Sequence, residues 1–209
     1  MGIAERRERE REARRAALRE AARELLIERG FAGTTTKAIA ERCELSEATL
    51  FFYFGSKEEI LVSLLFEGID YWARGLERLE KQDLAPAEKL ARVWKFFGEV
   101  RREHPEYFLL SAYLAQPTAT ANVAEEVRAE IVRRSGENFS ILAQLLLGAT
   151  GTGNARIAAD LVWSAFFGVM ALRDARANLG AKPHPTEREL GAALQLLLEG
   201  LAQSKGDGP

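Results

Sequence analysis

Apolar residues recur along this chain at steps of three and four, the spacing that gathers side chains on one face of a helix. Leu61, Leu65, Ile69, Trp72, Leu76 and Leu79 form one such row and predict a long amphipathic helix after Ser56, ended between Asp83 and Pro86. Leu90, Val93, Trp94, Phe97 and Val100 form another, which must stop at His104-Pro105 because the residue before proline resists the α conformation. Tyr107, Phe108 and Tyr113 follow on a short segment closed by Gln116-Pro117. Thr120 or Asn122 can cap the next helix, which carries Val127, Ile131, Phe139, Leu142 and Leu146, with an irregularity expected at Gly136. A further helix runs from Asn154 to about Asn178 with Ile157, Leu161, Ala165, Gly168 and Leu172 in line. After a break from Gly180 to Pro185, Thr186 and Glu189 offer a capping box for a last helix bearing Leu190, Leu194, Leu197, Leu198 and Leu201, and SKGDGP forms a frayed tail. The fold class these patterns predict is all-α.

Shorter elements occupy Thr34 to Lys57. Thr34, Thr35 and Thr36 offer N-cap hydroxyls for a helix from about Lys37 to Arg42, with Ile39 and Ala40 as its apolar side. Glu44 and Leu45 make a turn, and Ser46 caps a helix from Glu47 to Tyr53 with Leu50 and Phe54 on its apolar face. Glu47, Ala48 and Thr49 stand at its exposed front end. Ser56 and Glu59 then form a capping box that starts the long helix. Two short helices, a tight turn and a polar leading edge are the layout of a helix-turn-helix, whose second helix enters the DNA major groove.

Gly30-Phe31, the threonine run, Ile39-Ala40, Ser46, the TLFFYF of Thr49 to Phe54 and the SKEE from Ser56 together resemble the tetracycline-repressor family of transcriptional regulators over about residues 13 to 62. The resemblance implies a DNA-binding domain at 1-56 and a helical effector-binding and dimerisation domain at 57-209. It also implies that Thr36, Lys37, Glu47, Ala48, Thr49, Phe51, Tyr53 and Lys57 touch double-stranded DNA. Lysines can neutralise phosphates, Tyr53 and Thr36 can donate to them, Glu47 can accept from a cytosine amino group, and Ala48 or Thr49 can meet a thymine methyl. Two positions depart from the family pattern. Glu44 replaces a turn glycine, so the turn either takes a conformation open to ordinary residues or holds Glu44 under strain. Phe51 replaces a tyrosine, which removes a hydroxyl that the family aims at a phosphate.

Charge complicates the reading, since 29 basic against 31 acidic residues leave the chain near neutral, where a DNA binder is often basic. The first 23 residues offset this with 8 arginines against 5 glutamates. That stretch reads either as a solvated helix of i,i+4 Glu/Arg pairs or as an arm reaching along the adjacent groove. The start MGIAERRERE is too charged for a signal peptide, and the longest apolar run, Leu161 to Leu172, is too short to span a bilayer. A single Cys43 permits no internal disulfide, and a cytoplasmic location without membrane is expected.

Nothing in the sequence favours an enzyme or a cofactor. The 2 histidines, His104 and His184, sit beside prolines, no Ser/His/Asp spacing stands out, and the glycines of Gly148 to Gly153 lack the strand and lysine of a phosphate-binding loop. Large aromatics in the body are compatible with plain core or with a concave apolar pocket. On the second reading Trp94, Phe97, Phe108, Tyr113, Phe139, Trp163 and Phe167 line a site for a small apolar effector, with fatty-acyl compounds among the candidates. The surplus apolar faces of residues 157 to 172 and 190 to 201 point to a homodimer, as the family resemblance also implies. The rival reading keeps the DNA head and gives the body a protein partner in place of a small ligand.

Overall fold

The structure is a computed structural model that describes residues 2-116, 121, 123-147, 154-182 and 187-203. Among these residues there are nine α-helices and no strand, as the periodicity predicts. They are α1 (Ile3–Gly33), α2 (Thr36–Arg42), α3 (Glu47–Tyr53), α4 (Lys57–Glu80), α5 (Pro86–Glu103), α6 (Pro105–Leu114), α7 (Glu125–Leu146), α8 (Ala155–Asn178) and α9 (Glu187–Gln203). The expected caps Thr120, Asn122 and Thr186, the Gly148 to Gly153 loop, His184 and the SKGDGP tail lie outside the described residues, as do the side chains of Leu198 and Leu201.

The chain divides into two compact units, residues 1-70 with 103-132, and residues 71-102 with 133-209. These lines run through α4 and α7. The first unit therefore contains the helix-turn-helix together with the opening turns of α4, which supply Ile60, Leu61 and Leu64 to its core. Leu18, Ala22, Leu25 and Leu26 of α1, Ile39 of α2, and Leu50 with Phe54 at the end of α3 complete that core. α6 adds Leu110, and α7 adds Ile131.

Local chemistry sets the boundaries in this unit. α1 breaks at Gly30, whose φ of 64° and ψ of -170° suit glycine and almost no other residue. Thr34 is fully buried and closes the break by returning its amide and hydroxyl to the Gly30 carbonyl at 3.2 and 2.8 Å. Thr35 is the cap of α2, accepting from the Ala38 amide at 3.1 Å, so the helix starts at Thr36. Ser46 caps α3 by accepting from the Thr49 amide at 3.1 Å. Ser56 likewise accepts from Glu59, but the Glu59 carboxylate accepts from the Gly55 amide at 2.6 Å, one residue before the expected position.

In the second unit α5 buries Leu90, Val93, Phe97 and Val100, and α8 buries Ala158, Ala159, Val162, Phe166 and Met170. A Cβ at Gly75 would collide with the ring of Phe96, so that close approach requires glycine. α7 runs unbroken through Gly136, against the expected irregularity. α8 also exceeds its expectation, being long and apolar enough to cross a membrane by length and composition. An apolar run broken only at Asp160 and Arg173 understates the helix that contains it. The opposite side of α8 from its buried face exposes Ile157, Leu161 and Leu172 at 51%, 46% and 50%.

The turn between α2 and α3 takes the strained alternative, with Glu44 at φ 55°. A left-handed conformation costs an L-residue about 1 to 2 kcal/mol, and glycine returns part of that gain through its greater freedom when unfolded. Glu44→Gly is expected to stabilise the protein by roughly 0.5 to 1 kcal/mol, read as a higher midpoint in urea unfolding. A lower midpoint would mean that the Glu44 side chain contributes more than its backbone costs.

Candidate nucleic-acid interface and aromatic cluster

α3 has only seven residues and is held at both ends. Leu50 and Phe54 anchor it in the core, while the Arg15 guanidinium donates to the Tyr53 carbonyl and lies 4.0 Å above the Phe54 ring. That leaves Glu47 and Ala48 exposed at its leading end and Thr49 half-buried beside them. Glu47 accepts from the Thr36 hydroxyl at 2.8 Å, which ties the front of α3 to the front of α2. Thr49 and Ser46 share a hydroxyl hydrogen bond at 2.9 Å.

The remaining DNA candidates fall into different situations. Lys37 is an exposed cation, 4.0 Å from Glu41 on the same helix. Lys57 is half-buried and its ammonium donates to the Phe31 carbonyl at 3.3 Å, which helps close the end of α1. Tyr53 is half-buried with its ring edge-on to Phe52. Phe51 is 48% exposed and Phe52 74%, so α3 shows two bare aromatic rings behind its polar front. Phe52 and Arg15 are absent from the residues that the sequence points to. An apolar residue off the buried face of α3 is a usable signal for Phe52, whereas Arg15 is one of many arginines until its partners are seen.

Ion pairs fix the helices that carry this edge. Arg42 forks onto Glu28 with two 2.8 Å contacts and reaches Glu24 at 3.1 Å, clamping the end of α2 to α1. The hydrogen bonds from Arg42 hold the Glu28 carboxyl below the usual carboxylate range. Next to this clamp, burial pushes the Cys43 thiol up, with Glu24 adding to the effect. Arg23 pairs with Glu67 on α4 and with Glu106 at the start of α6, the latter at 3.2 Å and only 1% exposed. His104 Nδ1 lies 3.3 Å from the same Glu106 carboxylate.

Of the aromatic residues expected to line a pocket, five belong to the second unit and are joined there by ring contacts. Phe97 meets Trp163 at 5.6 Å, Trp163 meets Phe139 at 6.4 Å and Phe167 at 5.8 Å, and Trp94 reaches the group through Phe166 at 5.1 Å. Trp72 packs edge-on against both Phe97 and Trp163. Phe108 and Tyr113 belong to the first unit instead. Phe108 is buried there, and Tyr113 stacks on Phe31 at 4.3 Å, its phenol pushed up by burial and by Glu58.

Comparison with known proteins agrees with this architecture. Residues 18–64 match the model of the family described as bacterial regulatory proteins, tetR family. The HTH-type transcriptional regulator RutR of Escherichia coli is 27% identical over 126 residues, which cover 59% of this chain and 59% of that relative. The match thus spans less than two thirds of the curated relative's length. Among solved structures, the fatty acid degradation regulator FadR of Bacillus halodurans has a TM-score of 0.68 at 19% identity, covering 90% of this chain and 95% of that one. The transcriptional regulator FadR of Bacillus subtilis in complex with stearoyl-CoA has a TM-score of 0.65 at 21% identity, covering 88% and 98%. The fold is that of helical regulators with an N-terminal helix-turn-helix, and residues 18–64 are similar to the DNA-binding region of the tetR family of bacterial regulatory proteins.

The Glu28 clamp makes a pH-dependent contribution with a definite sign. Its folded value is lowered, so the stabilisation is complete above the unfolded carboxylate range and disappears as pH falls through the folded value. Glu28→Gln should therefore be less stable than the parent at pH 7, with the difference closing below about pH 4. An equal deficit in urea unfolding at both ends of that range would show that ionisation of Glu28 is not involved.

Proposed function

We propose that the chain is a dimeric DNA-binding transcriptional regulator, a repressor whose hold on a near-palindromic operator is released by a small apolar ligand. The observation that carries the DNA reading is the joined leading edge of α2 and α3, where Thr36 and Glu47 are hydrogen-bonded and Lys37, Ala48 and Phe51 lie open beside them. Glu47 retains lone pairs for a cytosine amino group while it accepts from Thr36, and Ala48 and Thr49 can meet thymine methyls. Lys37 and Tyr53 serve the phosphates, and Thr36 can join them only by withdrawing its one hydroxyl proton from Glu47. Lys57 can join them only by giving up or sharing its hydrogen bond to the Phe31 carbonyl. Arg7, Arg11 and Arg14 extend along α1 the row that further on carries Leu18, Ala21 and Leu25, which suits a helical arm following the flanking backbone.

Dimerisation rests on α8. Its exposed Ile157, Leu161 and Leu172 share a side with Ala165 and Gly168, small enough for close approach, and a second copy of the helix is the natural cover. A two-fold dimer would present two α3 helices to half-sites about one helical turn apart, ~34 to 36 Å, or a multiple. The effector reading is supported by the FadR relative whose structure contains stearoyl-CoA and by the aromatic cluster of the second unit. In this reading Trp94, Phe97, Phe139, Trp163 and Phe167 line the effector site. Ligand preference for one arrangement of the dimer, worth ~1 to 3 kcal/mol, would shift operator affinity about 5- to 150-fold. The helix α4 belongs to both units and is the proposed carrier of that shift.

Two measurements test this. Lys37→Ala should weaken operator binding about equally for all sequences and reduce the salt slope by roughly 0.9 for each phosphate that the side chain no longer neutralises. An unchanged slope would remove Lys37 from the interface. Leu172→Glu alters an exposed side chain, so the chain should still fold but sediment as a monomer and bind the operator poorly. Sedimentation as an undisturbed dimer would place the interface elsewhere.

A further inference from the structure

Between α5, α8 and α9 the second unit holds a cleft of about 620 Å³, within the range of small-molecule sites. Its floor is apolar: Trp94, Phe166 and Met170 are each more than nine-tenths buried, and Leu190 joins them from α9. Its rim is charged and unequal, with Lys95, Arg101, Arg102 and Arg173 against Glu99 and Asp174. Arg101 is answered by Asp174 at 2.7 Å and Lys95 by Glu99 at 3.7 Å. Arg173 has no carboxylate partner among the described residues.

One further observation bears on what the cleft is for. Gly98 on α5 and Gly191 on α9 also line the cleft, and a Cβ at either would meet no atom within 4 Å. Gly68 differs, because there a Cβ would lie 2.8 Å from the ring of Tyr107. Glycine weakens a helix interior relative to alanine, and no neighbour demands it at these two positions. What their missing side chains do is leave the cleft open. Phe166, Met170 and Arg173 stand on the side of α8 away from Ile157, Leu161 and Leu172, so a partner on that exposed stripe leaves the cleft free.

We infer that this cleft binds an amphiphilic anion, a compound with an apolar body and one carboxylate. The body lies on Trp94, Phe166, Met170 and Leu190. The carboxylate takes the planar fork of Arg173, with Arg102 on the same rim. The inference rests on the reading of this body as ligand-responsive; of the five rings proposed for the effector only Trp94 lines this cleft, so the cleft is a second site beside that cluster.

Calorimetric titration of the full chain with decanoate should show one site per chain, with decanol and decylammonium at least about tenfold weaker. Arg173→Ala should reduce decanoate affinity by about tenfold and leave decanol unchanged. Gly98→Leu and Gly191→Leu add side chains into open space, so they should keep the parent's melting temperature and abolish decanoate binding. Equal affinity for the three probes, or decanoate binding undiminished in both leucine variants, overturns the proposal. Operator titrations in parallel separate it from the regulatory reading. Decanoate bound in the cleft without effect on operator affinity supports the site and removes the regulation. Operator release that persists in both leucine variants keeps the regulation and overturns the site.

Discussion

A helix of seven residues is not stable alone in water, so α3 exists only because Leu50 and Phe54 are buried against α1, α2 and α4. That dependence organises the whole first unit. Leu18 and Leu25 supply the surface, Ile60 and Leu64 close it, and the outward residues from Glu47 to Phe52 are rigid to the extent that this core is. The polar devices are secondary but directional: Ser46 fixes where α3 begins, and Arg15 holds the carbonyl where it ends. Burial supplies the stability and the hydrogen bonds set the register.

Much of this is legible in the sequence because it is local. Ser46, Thr35 and Ser56 each act within three residues of themselves, and apolar rows mark the buried face of a helix without reference to its neighbours. What lies across the chain is not legible. Nothing near Lys57 announces that its ammonium will find the Phe31 carbonyl, and Glu59 selects Gly55 over Ser56 by the shape of the turn. Gly136 misleads in the other direction, since one glycine costs a long helix only about 1 kcal/mol and α7 buries Ile131 before it and Leu142 and Leu146 after it.

The aromatic residues show the same limit at a larger scale. Helical spacing reports that Phe108 and Tyr113 face inward, but not which core they face. They serve the first unit, where Tyr113 lies flat on Phe31 beside the Gly30 break, and the rings of α5, α7 and α8 form a separate network around Trp163. A row of apolar letters carries no address. Charged residues at the rim of the α5, α8 and α9 cleft are invisible for a related reason: Arg173 and Lys95 look like ordinary solvated positions until three helices bring them to one opening.

The first turns of α1 follow a different physics from everything after Leu18. Residues 2 to 14 are all exposed, so no core holds them, and their helix depends on side-chain pairs such as Arg6 with Glu10 at 3.7 Å. Pairs of that kind are screened by salt, while the turns nearer Leu18 remain seeded by the buried helix behind them. The segment therefore behaves as a zipper anchored at one end, and its ordered length is set by ionic strength and temperature instead of by the fold.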